Sequence, residues 1–338
     1  ALYGGVTTLT FSLEYLGERL EPSLLRRCQA SNGSYGASPS ATAYAQLHAP
    51  NDEAARYLQH VVSLSSEHGV MDVYPINIFE TAWSLQSLLC VRDLVPEFDD
   101  AVRGLLHYWT PMGVGHTDSG MIPDSDDTAT VLFLLRSVGE LIDADVLKQF
   151  EDQEFFICFP YERNQSVRAN AAIVEALKTY PSDSSIRRML LKAVQYIKSS
   201  MNSDGYWHDK WHISPFYASA RCISALNRID RETNRSAINW ILGQQHENGA
   251  WGVGEGTQEE TAYALDGLIS AGEHDQAVAS LVRDAIHSGY RYLIQSWDEQ
   301  DYEALWLGKG LYTPQVVVRS AIVGSLIRCQ RLEQTADV

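Results

Sequence analysis

Cysteine is scarce. The 338 residues hold five, Cys28, Cys90, Cys158, Cys222 and Cys329, widely scattered, odd in number and without a CxxC pair. This argues against a disulfide framework or a thiolate zinc site and fits a reducing, cytoplasmic setting. Basic residues are also in deficit, with 26 Lys and Arg against 43 Asp and Glu and a formal charge of −17. A surface of that sign repels phosphate backbones, so nucleic acid is not expected as a partner. An anionic ligand would need a local basic pocket or a divalent cation as bridge. Long apolar runs are missing too. Stretches such as Val131–Leu135 and Ala321–Ile327 fall far short of the ~20 residues that span a bilayer. The chain opens on Ala1 with neither an initiator Met nor a basic, apolar leader, and reads as an internal piece of a longer polypeptide. Period-two alternation is nowhere sustained long enough to build a sheet.

What is present is apolar and repetitive. Hydrophobic residues make up 45% of the chain, enough for a large helical core or two packed units. A small or polar residue followed by Ala and an apolar run recurs at Thr42-Ala43, Thr81-Ala82, Thr128-Ala129, Asn170-Ala171, Ser219-Ala220, Thr261-Ala262 and Ser320-Ala321. The intervals are 39, 47, 42, 49, 42 and 59 residues, and ~45 residues is what a helical hairpin with its turns occupies. The fold expected is all-α. The repeats diverge and their connections are long, which favours a closed α/α barrel (toroid) over an open solenoid, with the site at the mouth where the loops gather.

A second pattern precedes three of these helices: Gln29 to Gly33 with Tyr35, Asn202 to Gly205 with Trp207, and Gln245 to Gly249 with Trp251. Gly supplies a turn, the aromatic plugs the gap between hairpins, and the amide satisfies loose backbone groups. These are read as structural staples.

Chemistry concentrates in Pro123-Asp124-Ser125-Asp126-Asp127-Thr128-Ala129, which runs into an apolar helix. A helix needs one capping carboxylate. Three within four positions repel one another, and partial burial raises at least one pKa enough to keep a proton near neutrality. The division of labour expected is that Asp124 or Asp127 caps, ionised, while Asp126 holds the proton as a Brønsted acid. On residue chemistry alone, catalysis and capping stand level.

The Asp124-x-Asp126-Asp127-Thr128-Ala129 signature resembles the DxDD motif of class II diterpene cyclases of the copalyl diphosphate synthase type. Gly33-Ser-Tyr-Gly-Ala-Ser-Pro-Ser-Ala-Thr-Ala43, Val73-Tyr-Pro-Ile-Asn-Ile-Phe-Glu80, Phe156-Ile-Cys-Phe159 with Asn164-Gln165, Asp209-Lys-Trp211 and Trp306-Leu-Gly-Lys309 are similar to further segments of that family, in family order. The style of Glu259 to Leu265 is fungal or bacterial rather than plant. The resemblance implies that residues 1–75 are the C-terminal part of a γ-like α-barrel and 76–338 a β-like α/α barrel. The family's acidic magnesium-associated motif would lie outside this chain, so Mg²⁺ is the expected cofactor without an expected ligand here.

The implied reaction is cyclisation of geranylgeranyl diphosphate to a copalyl-type diphosphate with the diphosphate retained. Asp126 would protonate the terminal alkene, and aromatic faces, with Trp109, Trp207, Trp211, Phe216 and Trp306 as candidates, would stabilise the cations. Lys210 matches a diphosphate-contacting lysine of the family, and Lys309 is a second candidate. The His and Asn that position the final base in plant enzymes are replaced here by Phe11 and Asp72, which makes Asp72 the candidate base or water holder. The family's Asn that bonds the acid aligns with Ala172, with Asn170 two positions away as its substitute. A linked class I α domain and a homo-oligomer are further expectations. The alternatives are a drimenyl-type sesquiterpene cyclase on farnesyl diphosphate and, from another class, an inverting glycoside hydrolase or a non-catalytic α/α toroid. His107, His116, His208 and His212 show no trusted metal-ligand spacing.

Overall fold

Each recurrence of the small-or-polar–Ala phrase falls in the first two turns of a helix. The computed structural model describes residues 2–64, 69–160 and 162–336. Among them run α1 (Pro39–His48), α2 (Asp52–Ser63), α3 (Asn77–Ser87), α4 (Phe98–Gly104), α5 (Ser125–Ser137), α6 (Val167–Leu177), α7 (Ser184–Ser199), α8 (Pro215–Leu226), α9 (Arg231–Gly243), α10 (Gln258–Gly272), α11 (Gln276–Gln295) and α12 (Gln315–Ala336). The phrase marks α1, α3, α5, α6, α8, α10 and α12. Polar N-caps start most of them: Ser38, Asn51, Asp124, Ser166, Asp183, Ser214, Asp230, Thr257 and Asp275 each accept a first-turn N–H.

Six of the phrase-bearing helices form a closed ring. α3 packs on α5, α5 on α6, α6 on α8, α8 on α10, α10 on α12, and α12 returns to α3. α4, α7, α9 and α11 lie outside, against α5, α6, α8 and α10. The phrase alanines Ala82, Ala129, Ala171, Ala220, Ala262 and Ala321 are buried, so the inner helices approach without side-chain bulk between them. The closed toroid expected from the repeat is therefore the architecture observed.

The polar residue of the phrase has its own task. Thr42, Thr128, Ser219 and Thr261 accept the backbone N–H of Tyr35, Val114, Trp207 and Trp251, at 2.9 to 3.2 Å. Each clamps the extended segment before its helix to the helix itself. Trp207 and Trp251 are completely buried, and their indole N–H groups donate to Ile197 and Ile241 carbonyls at 2.7 Å. In the matching turns, Gly205 and Gly249 adopt φ of 96° and 91°, with a neighbouring helix carbonyl where a Cβ would sit. The staple reading holds.

Two apolar cores are present. The larger fills the ring from Ile78 to Cys329, and the smaller joins Leu13, Leu20, Leu25, Cys28, Tyr35, Ala41 and Ala45. Among the described residues, strand structure is confined to a hairpin pairing Trp306–Leu307 with Leu311–Tyr312. No helix of the described residues is long and apolar enough to cross a membrane.

Candidate active site

α5 presents its acidic end to a cavity of ≈ 360 Å³. Asp124, in extended conformation, caps the helix by accepting the Asp127 N–H at 2.8 Å. Its own N–H donates to the Val114 carbonyl, and Ser125 N–H donates to that of Cys158. Asp126 and Asp127 then fall in the first turn, and all three carboxyl groups line the cavity wall. Burial raises all three acids. Asp124 is pushed up to about 7, Asp127 well above the usual range with Asp124 and Asp126 adding repulsion, and Asp126 upward against the pull of Arg168. The cap expected to be ionised is thus raised along with its neighbours.

Arg168, in the first turn of α6, ion-pairs with Asp126 Oδ1. The guanidinium also donates to Thr130 Oγ1 at 2.8 Å and Gln86 Oε1 at 3.2 Å, and lies 4.0 Å from the Trp83 ring centroid. Among the described residues, Asp126 Oδ2 accepts no hydrogen bond and is left for the cavity. Asp209 orients the surroundings: its carboxylate accepts Ser166 Oγ–H, Arg168 N–H and Trp211 N–H.

The walls are aromatic. Phe11, Phe79, Trp83, Phe159, Trp211, Tyr217, Trp306 and Tyr312 line them. Phe79, Trp83, Tyr217 and Trp306 form one packed face, with Phe79–Trp83, Tyr217–Trp306 and Phe79–Trp306 centroids at 4.6, 4.9 and 5.3 Å. Trp306 is fixed from behind by Glu259, which accepts its indole N–H at 2.7 Å and also bonds His212 and Tyr263.

Of the residues singled out from sequence, Asp124, Asp126, Asp127, Trp211 and Trp306 meet at this cavity. Lys210 and Lys309 stand beside it, each ion-paired to a glutamate (Glu162 and Glu14) and each 4.8 Å from the ring of a wall aromatic, Trp211 and Phe11.

Five of the sequence candidates sit elsewhere. Asn170 does not reach the acid. Its amide bonds the Phe156 N–H and carbonyl and the Ser166 carbonyl, the same clamping task that its counterparts perform in the other repeats. Asp72 is not on the cavity wall: it accepts the Gly310 N–H at 2.6 Å and holds the hairpin turn. Trp109 packs half-buried on the ring's core instead, while Trp207 is a staple and Phe216 lies against Trp240, 4.9 Å between centroids.

Sequence reasoning missed Arg168, although a lone Arg in the otherwise uncharged first turns of α6 was a usable signal. Among the described residues no group of three or more His, Cys, Asp or Glu side chains could hold a metal ion. The three aspartates, one capping and one paired with Arg168, do not fit that use.

Comparison with known proteins agrees with this geometry. Residues 149–314 match the squalene-hopene cyclase C-terminal domain family. The chain is 34% identical to the ent-copalyl diphosphate synthase of Streptomyces sp. (strain KO-3988), covering 89% of this chain and 60% of that one. It is 32% identical to the type B diterpene cyclase of Mycobacterium tuberculosis, covering 94% and 65%. Its fold superposes on ent-copalyl diphosphate synthase from Streptomyces platensis with a TM-score of 0.81 at 31% identity, covering 97% of this chain and 65% of that one. The chain thus spans about 60 to 65% of the length of these relatives. With the acidic cavity, the closed helical ring and these matches in agreement, the chain belongs to the class II terpene cyclase family.

Proposed function

We propose that this chain carries the acid half of a class II diterpene cyclase, converting geranylgeranyl diphosphate to a copalyl-type bicyclic diphosphate with the diphosphate retained. The observation that carries the reading is a cluster of three buried carboxyl groups with raised pKa in the wall of an aromatic cavity. The names of the relatives, copalyl diphosphate synthases among them, support the substrate and product class.

An alkene is a very weak base, so its acid must be desolvated and its conjugate base stabilised. In this reading Asp126 carries a proton when substrate arrives, and burial pushes its pKa up against the pull of Arg168. Arg168, held at Oδ1, stabilises the carboxylate left when Oδ2 gives its proton up. Asp127 and Asp124, both raised by burial, supply the replacement proton. The face of Phe79, Trp83, Tyr217 and Trp306 offers π-density to the cations without a nucleophile that would trap them. Trp211 lines the same cavity.

Lys210 and Lys309 exchange their glutamate partners for diphosphate oxygens. Mg²⁺, the cofactor in this reading, would neutralise diphosphate charge. A linked class I α domain, a homo-oligomer and a cytoplasmic setting complete the proposal. The inverting glycoside hydrolase drops out with the family assignment.

The test uses the longest native polypeptide containing this sequence, incubated with geranylgeranyl diphosphate and Mg²⁺. Products are dephosphorylated and analysed by chiral gas chromatography–mass spectrometry. A bicyclic alcohol derived from the diphosphate, absent in Asp126→Asn, supports the reading. A product only from farnesyl diphosphate would reassign the substrate, and no product from either would defeat it.

A further inference from the structure

Cyclisation ends when the bicyclic cation loses a proton, and the residue expected to receive it, Asp72, is bound to the hairpin turn and absent from the cavity wall. The other polar groups of the wall are committed. The aspartates are the proton source, and Glu162 is ion-paired with Lys210. Tyr217 accepts the Trp83 indole N–H at 2.8 Å, and burial keeps the Cys158 thiol and the Tyr312 phenol protonated.

His116 is different. It lines the same cavity, and its Nε2 is buried without a hydrogen-bond partner among the described residues. Neither ring nitrogen has a hydrogen-bond partner among the described residues, so the half-buried ring borders the cavity with its polar atoms uncommitted. Its placement is set by main chain rather than side chain. The His116 carbonyl caps α3 by accepting the N–H groups of Ile78 and Phe79, both at 3.2 Å. Gly115 beside it packs so closely that a Cβ would overlap the Ile122 carbonyl. Burial holds the imidazole pKa down to about 4, so the ring is neutral at physiological pH with a free lone pair. A carbocation is so strong an acid that a weakened imidazole is base enough.

The geometry points to the His116 imidazole as the group that receives the terminal proton of the cyclisation. The C–H bond next to the cationic carbon breaks, its electron pair becomes the new C=C bond, and the proton bonds to the lone-pair nitrogen of the His116 ring. The imidazolium then loses that proton to solvent, which balances the one Asp126 delivered. This assignment rests on the proposed cyclase function.

The experiment compares His116→Phe and His116→Gln with the unaltered polypeptide on geranylgeranyl diphosphate, recording total conversion and product profile. Because the α3 cap uses the backbone carbonyl, both variants keep it, and Gln is smaller than the ring it replaces. The expected result is that the native olefin falls ~10-fold or more, replaced by water-captured bicyclic diphosphate diol or by rearranged olefins, with total conversion largely retained. A purely structural histidine would lower conversion and leave the profile unchanged. That outcome, or a native profile in a folded His116→Gln with His116→Phe unfolded, overturns the assignment. Absence of any cyclised product from the unaltered polypeptide defeats the cyclase reading and this assignment with it.

Discussion

Arg168 and Asp126 form an ion pair inside the helical ring, the guanidinium from the first turn of α6 meeting the carboxylate from the first turn of α5. Both are almost wholly removed from water. A buried pair of this kind gives little net stability, because desolvation offsets most of the Coulomb gain. Its worth lies in what it does to the acid: the anion formed on proton release is already compensated, while burial pushes the pKa of the neighbouring carboxyls up.

The first prediction separates the acid from the cap. Asp126→Asn keeps the side-chain shape and an oxygen toward Arg168 but has no proton of comparable acidity. Turnover by mass spectrometry is expected to fall about 10²- to 10⁴-fold, with circular dichroism unchanged. Retention of turnover would leave Asp126 as a structural residue.

Arg168→Met removes the compensation instead. Asp126 is then buried without a counter-charge, its pKa rises further and it releases its proton less readily. Unfolding free energy is expected to drop by ~3–5 kcal/mol, read from denaturant melts. The Asp126→Asn/Arg168→Met double variant should lose less than the sum of the two single changes, since the pair is coupled. Strict additivity would show that the pair is not energetically real.

A third prediction concerns pH. Asp124 rises from an ordinary 3.8 to about 7 on folding. A carboxyl raised on folding contributes most below the unfolded value, and that contribution is lost as pH climbs through the folded one. His116 works in the opposite sense, depressed from 6.5 to about 4, so its contribution is lost as pH falls through that interval. The two cancel over much of the acid range. Asp124→Asn, which retains a capping oxygen, should therefore gain stability relative to the parent as pH rises from about 4 to about 7. Paired thermal melts at the two ends measure it, and a constant difference would mean that Asp124 is not raised.

Ring closure can be tested at one atom. Gly324 in α12 lies against the last residue of α3, where a Cβ would overlap the Ser87 carbonyl. Gly324→Ala is expected to cost about 1–3 kcal/mol by forcing the closing helices apart. A neutral effect in a melt would show that the seam between α12 and α3 is looser than described.

The lysines make a prediction about binding rather than chemistry. Lys210→Ala should raise KM for the diphosphate substrate about tenfold or more through loss of a charge-assisted hydrogen bond, with kcat less affected. An unchanged KM would leave Lys210 as the partner of Glu162 and nothing else.

The sequence by itself determined the run of paired helices and favoured a ring, which the packing of α12 back on α3 then closed. The Thr-Ala, Asn-Ala and Ser-Ala phrases placed its six inner helices, because a small buried residue is needed where two helices touch, and in four of the six a hydroxyl or amide also pins the preceding loop. It also determined that three acids would crowd one helix start, since their spacing is local and their repulsion follows from covalent distance. Tertiary structure alone decided what those acids face. Arg168 lies 42 residues from Asp126 in sequence, and only the packing of α6 on α5 brings the guanidinium to the carboxylate. The same holds for Asn170, whose amide looked available until its repeat position bound it to Phe156, and for Asp72, drawn 238 residues along the chain to the Gly310 N–H. His116 carried no pattern at all. A lone histidine acquires its meaning from the cavity it borders and the partner it lacks, and neither is written in the spacing of residues.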